Sequence, residues 1–285
     1  MAHTAIRFCD KIKNMEQIGG ALKRVLRYAR AFVAHSVFSL VVAAIFVALS
    51  RALNAYVLWN LFGADGPFGT GTPRPYASPL GWLGMVFGWL ALAWLTYLIL
   101  GWLQYDLHGF KPDFLSAVGA ALGSGLPYFV INLLATLVFI TRPVPVRSEV
   151  YGWAELITLL VLAVLLPAMM YAAIHAAGFR TALSLLLAAL TRPGYGRLLI
   201  RPGFLTAFAI LAFWLVAAPR LGGPGLYINI GQPMQPQFRH LLMGEALRGF
   251  LTTLIGLPLV AAVLRTVYDV IWGLPANATP APADA

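Results

Sequence analysis

Long apolar stretches separated by short polar breaks organise this chain. Runs at about 32–62, 80–105, 114–140, 153–177, 198–218 and 241–272 are each long enough to cross a bilayer as a helix, which takes about 20 apolar residues for about 30 Å of hydrocarbon. They are continuous rather than alternating every second residue, which selects helices over the strands of a membrane barrel. The pattern predicts an all-α polytopic membrane bundle of about six transmembrane helices. Residues 1–31 form a basic tail that becomes a juxtamembrane amphipathic helix from about Ile18, residues 32–272 form the transmembrane domain, and residues 273–285, rich in alanine and proline, form a disordered tail.

Composition strengthens this picture. The 285 residues are 60% hydrophobic and only 11% charged, with a mean hydropathy of +0.79, too apolar for an ordinary soluble domain. The single cysteine, Cys9, excludes an intrachain disulfide and a cysteine-based metal site. A cleaved signal peptide is not expected, because the first apolar run is far longer than an h-region of about 7–15 residues.

Charge sets the expected orientation. Six spans put both termini on one side. That side collects Arg7, Lys11, Lys13, Lys23, Arg24, Arg27, Arg30, Lys111, Arg180, Arg192, Arg197, Arg201 and Arg265, against Arg74, Arg142, Arg147, Arg220 and Arg239 on the other. The positive-inside rule then places both termini in the cytoplasm of a cell whose inner membrane holds the protein. The excess of basic residues is explained by topology, so no nucleic-acid partner is expected. The partners expected are anionic lipid headgroups, met by Lys23, Arg24, Arg27, Arg30, Lys111, Arg180, Arg192 and Arg197, together with a protein partner or a second copy of the chain.

The two turns on the basic side echo one another. The first reads Tyr105-Asp106-Leu107-His108-Gly109-Phe110-Lys111-Pro112-Asp113-Phe114; the second runs from Tyr171 through His175 to Gly178-Phe179-Arg180. Glycine in each suits a left-handed helix cap, the phenylalanine suits the interface, and the base suits headgroups and helix C-termini. Pro112 cannot continue the preceding helix but fits the first turn of the next. Gly109, Lys111, Pro112, Asp113 and Phe114, with KRVLRYARAF at Lys23 to Phe32, resemble the turn and lead-in of bacterial six-helix inner-membrane families related to the membrane domain of glycerophosphodiester phosphodiesterases and to YciC-like proteins. The resemblance covers about the first half of the chain. It implies a role in membrane or envelope physiology and carries over no catalytic residue.

Polar and helix-breaking residues inside the runs mark where activity would sit. These are Arg51, Asn54, Pro127, Asn132, Glu155, Pro167, His175, Glu245, Arg248, Pro258, Arg265 and Asp269. A proline within a span frees a backbone carbonyl, and broken helices near the midplane are where transporters hold substrate. Equally, a kinked bundle with charges paired near its interfaces accounts for the same residues: Glu245 with Arg248 and Arg265 with Asp269 have the i,i+3 and i,i+4 spacings of one helix face. Gly84 with Gly88 and Gly119 with Gly123 allow close helix approach.

No enzyme signature is present. The five histidines are scattered singly, and only His108 and His175, with Asp106 and Asp113, fall near one another in the expected topology. No G-x-S-x-G elbow, metal-ligand motif or cofactor-binding motif occurs. The expectation is a non-enzymatic integral inner-membrane protein in membrane or envelope maintenance, with no cofactor and no metal. A small-solute or lipid transporter, with a site among the proline-kinked helices, and a scaffold subunit of a membrane complex are the alternatives.

Overall fold

The computed structural model describes residues 2–62, 79–140, 148–217 and 234–273, with side chains described over 15–56, 83–134, 156–217 and 242–273. The loops around Arg74, Arg142, Arg147 and Arg220 and the tail from 274 onward lie outside the described residues. Eight helices make up the described chain: α1 (Ala2–Phe62), α2 (Pro79–His108), α3 (Phe114–Ile140), α4 (Ser148–His175), α5 (Phe179–Leu190), α6 (Tyr195–Leu199), α7 (Pro202–Ala217) and α8 (Met234–Ile271). No strand occurs among the described residues.

Five of these helices carry segments long and apolar enough to cross a membrane: Met15–Tyr56, Leu83–His108, Phe114–Leu134, Leu156–His175 and Leu242–Ile271. These lengths and compositions are those of a multi-pass membrane protein. The fifth expected run, at about 198–218, becomes α7 with 16 residues, about 24 Å at ~1.5 Å per residue. It starts later than expected because Arg201-Pro202 ends the preceding turn and Pro202 opens the new helix. In contrast, α1 is one helix of 61 residues running through the expected boundary at 31, roughly three times the length a bilayer core requires.

The chain divides into two compact units. The first comprises Met1–Tyr28, Leu103–Ala212 and Ala261–Ala285; the second comprises Ala29–Trp102 and Phe213–Val260.

In the first unit α3, α4 and α5 pack on one another. Glycine permits this. A Cβ on Gly123 would lie 2.2 Å from the carbonyl oxygen of Phe179 and 3.0 Å from Cβ of Ala182, so no side chain fits there without moving backbone. Ala120, Ala176 and Ala182 fill the same contact with small residues. A second core gathers Ala168, Ala172, Leu186, Ala189 and Tyr195.

The turn after α2 follows from its residues. Gly109 has φ of 76° and ends the helix, its amide donating to the Tyr105 carbonyl at 2.9 Å. Asp113 caps α3, accepting from the Ser116 amide at 2.8 Å. The matching turn after α4 differs from the expected echo. Gly178 has φ of 165°, an extended conformation open to any residue, so no left-handed cap forms there. A Cβ at Gly178 would meet open space, whereas one on Gly119 of α3 would sit 3.5 Å from the Phe179 amide nitrogen and 3.8 Å from Gly178 Cα, so the close approach is made by the α3 glycine.

Next to Pro167 within α4, a hydroxyl from another helix is inserted into the helical bond that follows the proline. In a regular helix the Ala168 amide would donate to the Val164 carbonyl. Here the Tyr195 hydroxyl stands between them, accepting from the Ala168 amide at 3.2 Å and donating to the Val164 carbonyl at 2.6 Å. The Pro167 carbonyl accepts from Trp272 Nε1 at 2.9 Å. Groups from elsewhere in the unit thus satisfy backbone that a proline disturbs.

In the second unit, a Cβ on Gly84 would meet Asn54 Oδ1 at 2.5 Å and one on Gly88 would meet Ser50 Oγ at 3.4 Å. The two glycines, four apart, let α2 approach α1 closely. Phe32 and Trp102 meet edge to face at 5.3 Å between ring centroids.

Candidate functional site

The polar residues of the first unit converge where α1, α2, α4 and α8 bring charged and aromatic side chains together. Arg265 is the hub. Its Nε donates to Asp106 Oδ2 at 2.6 Å, and its Nη1 donates to Asp269 Oδ1. Asp269 also accepts from the Tyr28 hydroxyl, and the Arg265 guanidinium lies 5.0 Å from the Tyr28 ring centroid. Two carboxylates and a phenol around one arginine make a charge-assisted network that links α1, α2 and α8.

Beside it lies an aromatic and histidine cluster. His175 Nε2 and the Tyr268 hydroxyl are 2.8 Å apart. His108 meets His175 with ring centroids 5.2 Å apart, and Tyr171 packs between His175 and Trp272 at 4.7 and 4.8 Å. The two histidines of the echoing turns therefore touch, while the nearby carboxylates are used elsewhere: Asp106 by Arg265 and Asp113 by the cap of α3. Among the described residues no group of three metal-ligating side chains forms.

Gln104, buried at 3% exposure, donates through Nε2 to the carbonyls of Ala173 and Ile174 at 3.2 and 3.1 Å. It closes the carbonyl end of α4, where helical partners run out. A lone amide at the end of an apolar run was the only sequence signal for it.

An open cleft of 960 Å³ lies next to this network, lined by Gln17, Ala21, Arg24, Arg27 and Tyr28 of α1, by Arg201 and Gly203 at the start of α7, and by Asp269, Val270 and Gly273 at the end of α8. Arg27 Nη2 donates to the Tyr28 hydroxyl at 3.1 Å and Arg201 Nη1 to the Val270 carbonyl at 2.7 Å. Gly203 lets α7 begin against α8, since a Cβ there would meet Val270 Cγ2 at 3.2 Å. Sequence patterning singled out Arg24, Arg27 and Asp269 but gave no reason to join α1 to Arg201 at the start of α7 or to Asp269 of α8.

The remaining basic candidates are exposed. Lys111 lies 5.7 Å from the Tyr105 ring centroid and Arg192 lies 5.3 Å from that of Trp272. Lys23, Arg30, Arg180 and Arg197 are on the surfaces of α1, α5 and α6. Burial pushes the Tyr195 phenol up to about 12, against the opposing effect of the Ala168 amide that donates to it.

The second unit holds its own charged group. Glu245 receives Arg51 at 3.3 Å and Arg248 at 2.9 Å. Arg51 thus pairs across helices, in addition to the i,i+3 pair within α8. Asn54 is exposed against Gly84. Asn132, in the first unit, accepts from Thr158 Oγ1 at 2.9 Å and joins α3 to α4. Pro127 and Pro258 lie inside α3 and α8. Glu155 is in α4, with its side chain outside the described residues.

No family model matches this chain. No curated protein matches it, and no solved structure does.

Proposed function

We propose that this is a non-enzymatic, six-span protein of a bacterial inner membrane, with both termini cytoplasmic, that serves membrane or envelope maintenance by holding anionic lipid on its basic side. The carrying observation is the pairing of exposed cations with aromatic rings at the ends of apolar spans: Lys111 on Tyr105, Arg192 on Trp272 and Arg27 on Tyr28. Aromatic rings favour the headgroup level and basic side chains favour anionic lipid, so each pair suits the interface. The likeness of the Gly109 to Phe114 turn to the six-helix families supports the same role.

The experiment is reconstitution in nanodiscs of mixed zwitterionic lipid and phosphatidylglycerol, followed by native mass spectrometry of the lipid that leaves with the protein. At about 1 kcal/mol per basic residue, Lys111→Glu with Arg180→Glu is expected to lower phosphatidylglycerol enrichment several-fold. Unchanged enrichment would remove the proposal.

Transport is the second possibility, and Arg51, Glu245 and Arg248 favour it as a charged group within apolar helices. Near Pro167, Tyr195 and Trp272 engage the neighbouring Val164 and Pro167 carbonyls, while the carbonyl the proline itself frees is that of Ala163.

A further inference from the structure

Arg24, Arg27 and Arg201, each exposed, differ from the other basic residues in lining one cleft together. Three arginines and a single carboxylate, Asp269, line it, and that carboxylate already serves Arg265 and Tyr28. Among the described residues Arg24 has no hydrogen-bond or ion-pair partner. Arg27 and Arg201 each spend one N–H, on Tyr28 and on the Val270 carbonyl, which fixes the group and leaves the rest of its five donors.

The backbone adds to this charge. The first turn of α7, a helix of 16 residues, enters the wall through Gly203. A helix start carries amides without intrahelical partners and the positive end of the dipole. Two independent features, an arginine cluster and a helix start, therefore favour negative charge at one place.

We infer that the cleft is a stoichiometric binding site for a phosphate group. Three forked guanidiniums match the several oxygens and the double charge of a phosphomonoester better than the two oxygens of a carboxylate. A volume of 960 Å³ accommodates a headgroup with the start of its glycerol backbone. The same chemistry is offered by a lipid such as phosphatidic acid and by free phosphate. This inference rests on the anionic-lipid proposal above but concerns one site rather than the surface.

The test uses the full chain in detergent, stripped of loosely held lipid and titrated with phosphatidic acid or with inorganic phosphate, with native mass spectrometry counting bound molecules. One phosphatidic acid per chain is expected, with affinity lowered at least about tenfold in Arg24→Gln. That side chain makes no hydrogen bond or ion pair among the described residues and is exposed, so the fold is expected to be kept. Arg201→Lys, which keeps the charge but loses the fork, is expected to fall between. Tight inorganic phosphate without phosphatidic acid would support the site and make its ligand soluble. Equal affinity in Arg24→Gln, or no binding of either probe to the wild type, would overturn the site. Lys111→Glu with Arg180→Glu should leave this one molecule bound while reducing bulk enrichment, so the failure of one proposal is distinguishable from that of the other.

Discussion

At the scale of the residue, Tyr195 shows how a single hydroxyl can complete a helix. It bridges the Ala168 amide and the Val164 carbonyl beside Pro167. Tyr195→Phe leaves both groups buried without that partner and is expected to destabilise the protein by about 1–3 kcal/mol, measured as a lower thermal midpoint in detergent. The same burial holds the phenol protonated. Its pKa is raised to about 12 from 10.0, so the unfolded chain loses this proton first as pH rises. Its contribution is therefore fully present below pH 10 and lost as pH climbs through about 12. Tyrosinate absorbance should show one phenol titrating late in wild type that is absent from Tyr195→Phe, and a stability flat in pH from 10 to 12 would contradict it. None of this was legible beforehand, because Tyr195 and Ala168 are 27 residues apart along the chain.

Elements were read more successfully, and for a physical reason. The hydrophobic runs and helix-ending residues are local, so α2, α3 and α4 fall close to the stretches that suggested them. Gly109 and Asp113 do as their chemistry dictates, one ending a helix in left-handed backbone and one capping the next. Gly178 departs: its backbone is extended, and a Cβ there would meet open space. The close approach of α3 to α5 predicts that Gly123→Val, whose Cβ would meet backbone at 2.2 Å, lowers the unfolding midpoint by the equivalent of about 1–3 kcal/mol. Gly125→Ala, where a new Cβ meets only the flexible end of Met169 at 4.0 Å, should be neutral or slightly stabilising. Matching midpoints for the two variants would show that α3 and α5 do not need this approach.

For the whole molecule, orientation turns on α7. Five helices meet the length for a span, and α7, as described, has 16 residues; counting it as a span puts both termini on one side. The single cysteine, Cys9, makes this measurable. In intact cells a membrane-impermeant maleimide is expected to spare both Cys9 and a lone cysteine introduced as Ala283→Cys in a Cys9→Ser background, and to label both after permeabilisation. Labelling of one terminus alone in intact cells would make the number of spans odd.

Composition, hydropathy and local helix-breaking residues by themselves determined that the chain is helical, apolar enough for a membrane, and where its helices run, because each depends on neighbours within a few turns. They also named most of the basic residues. Only the tertiary structure decided which polar groups meet: His108 with His175, Arg265 with Asp106, Arg51 with Glu245, and Arg24 and Arg27 with Arg201 around one cleft. Those meetings depend on how helices distant in sequence pack, and small residues such as Gly123 and Gly203 set how closely they do so.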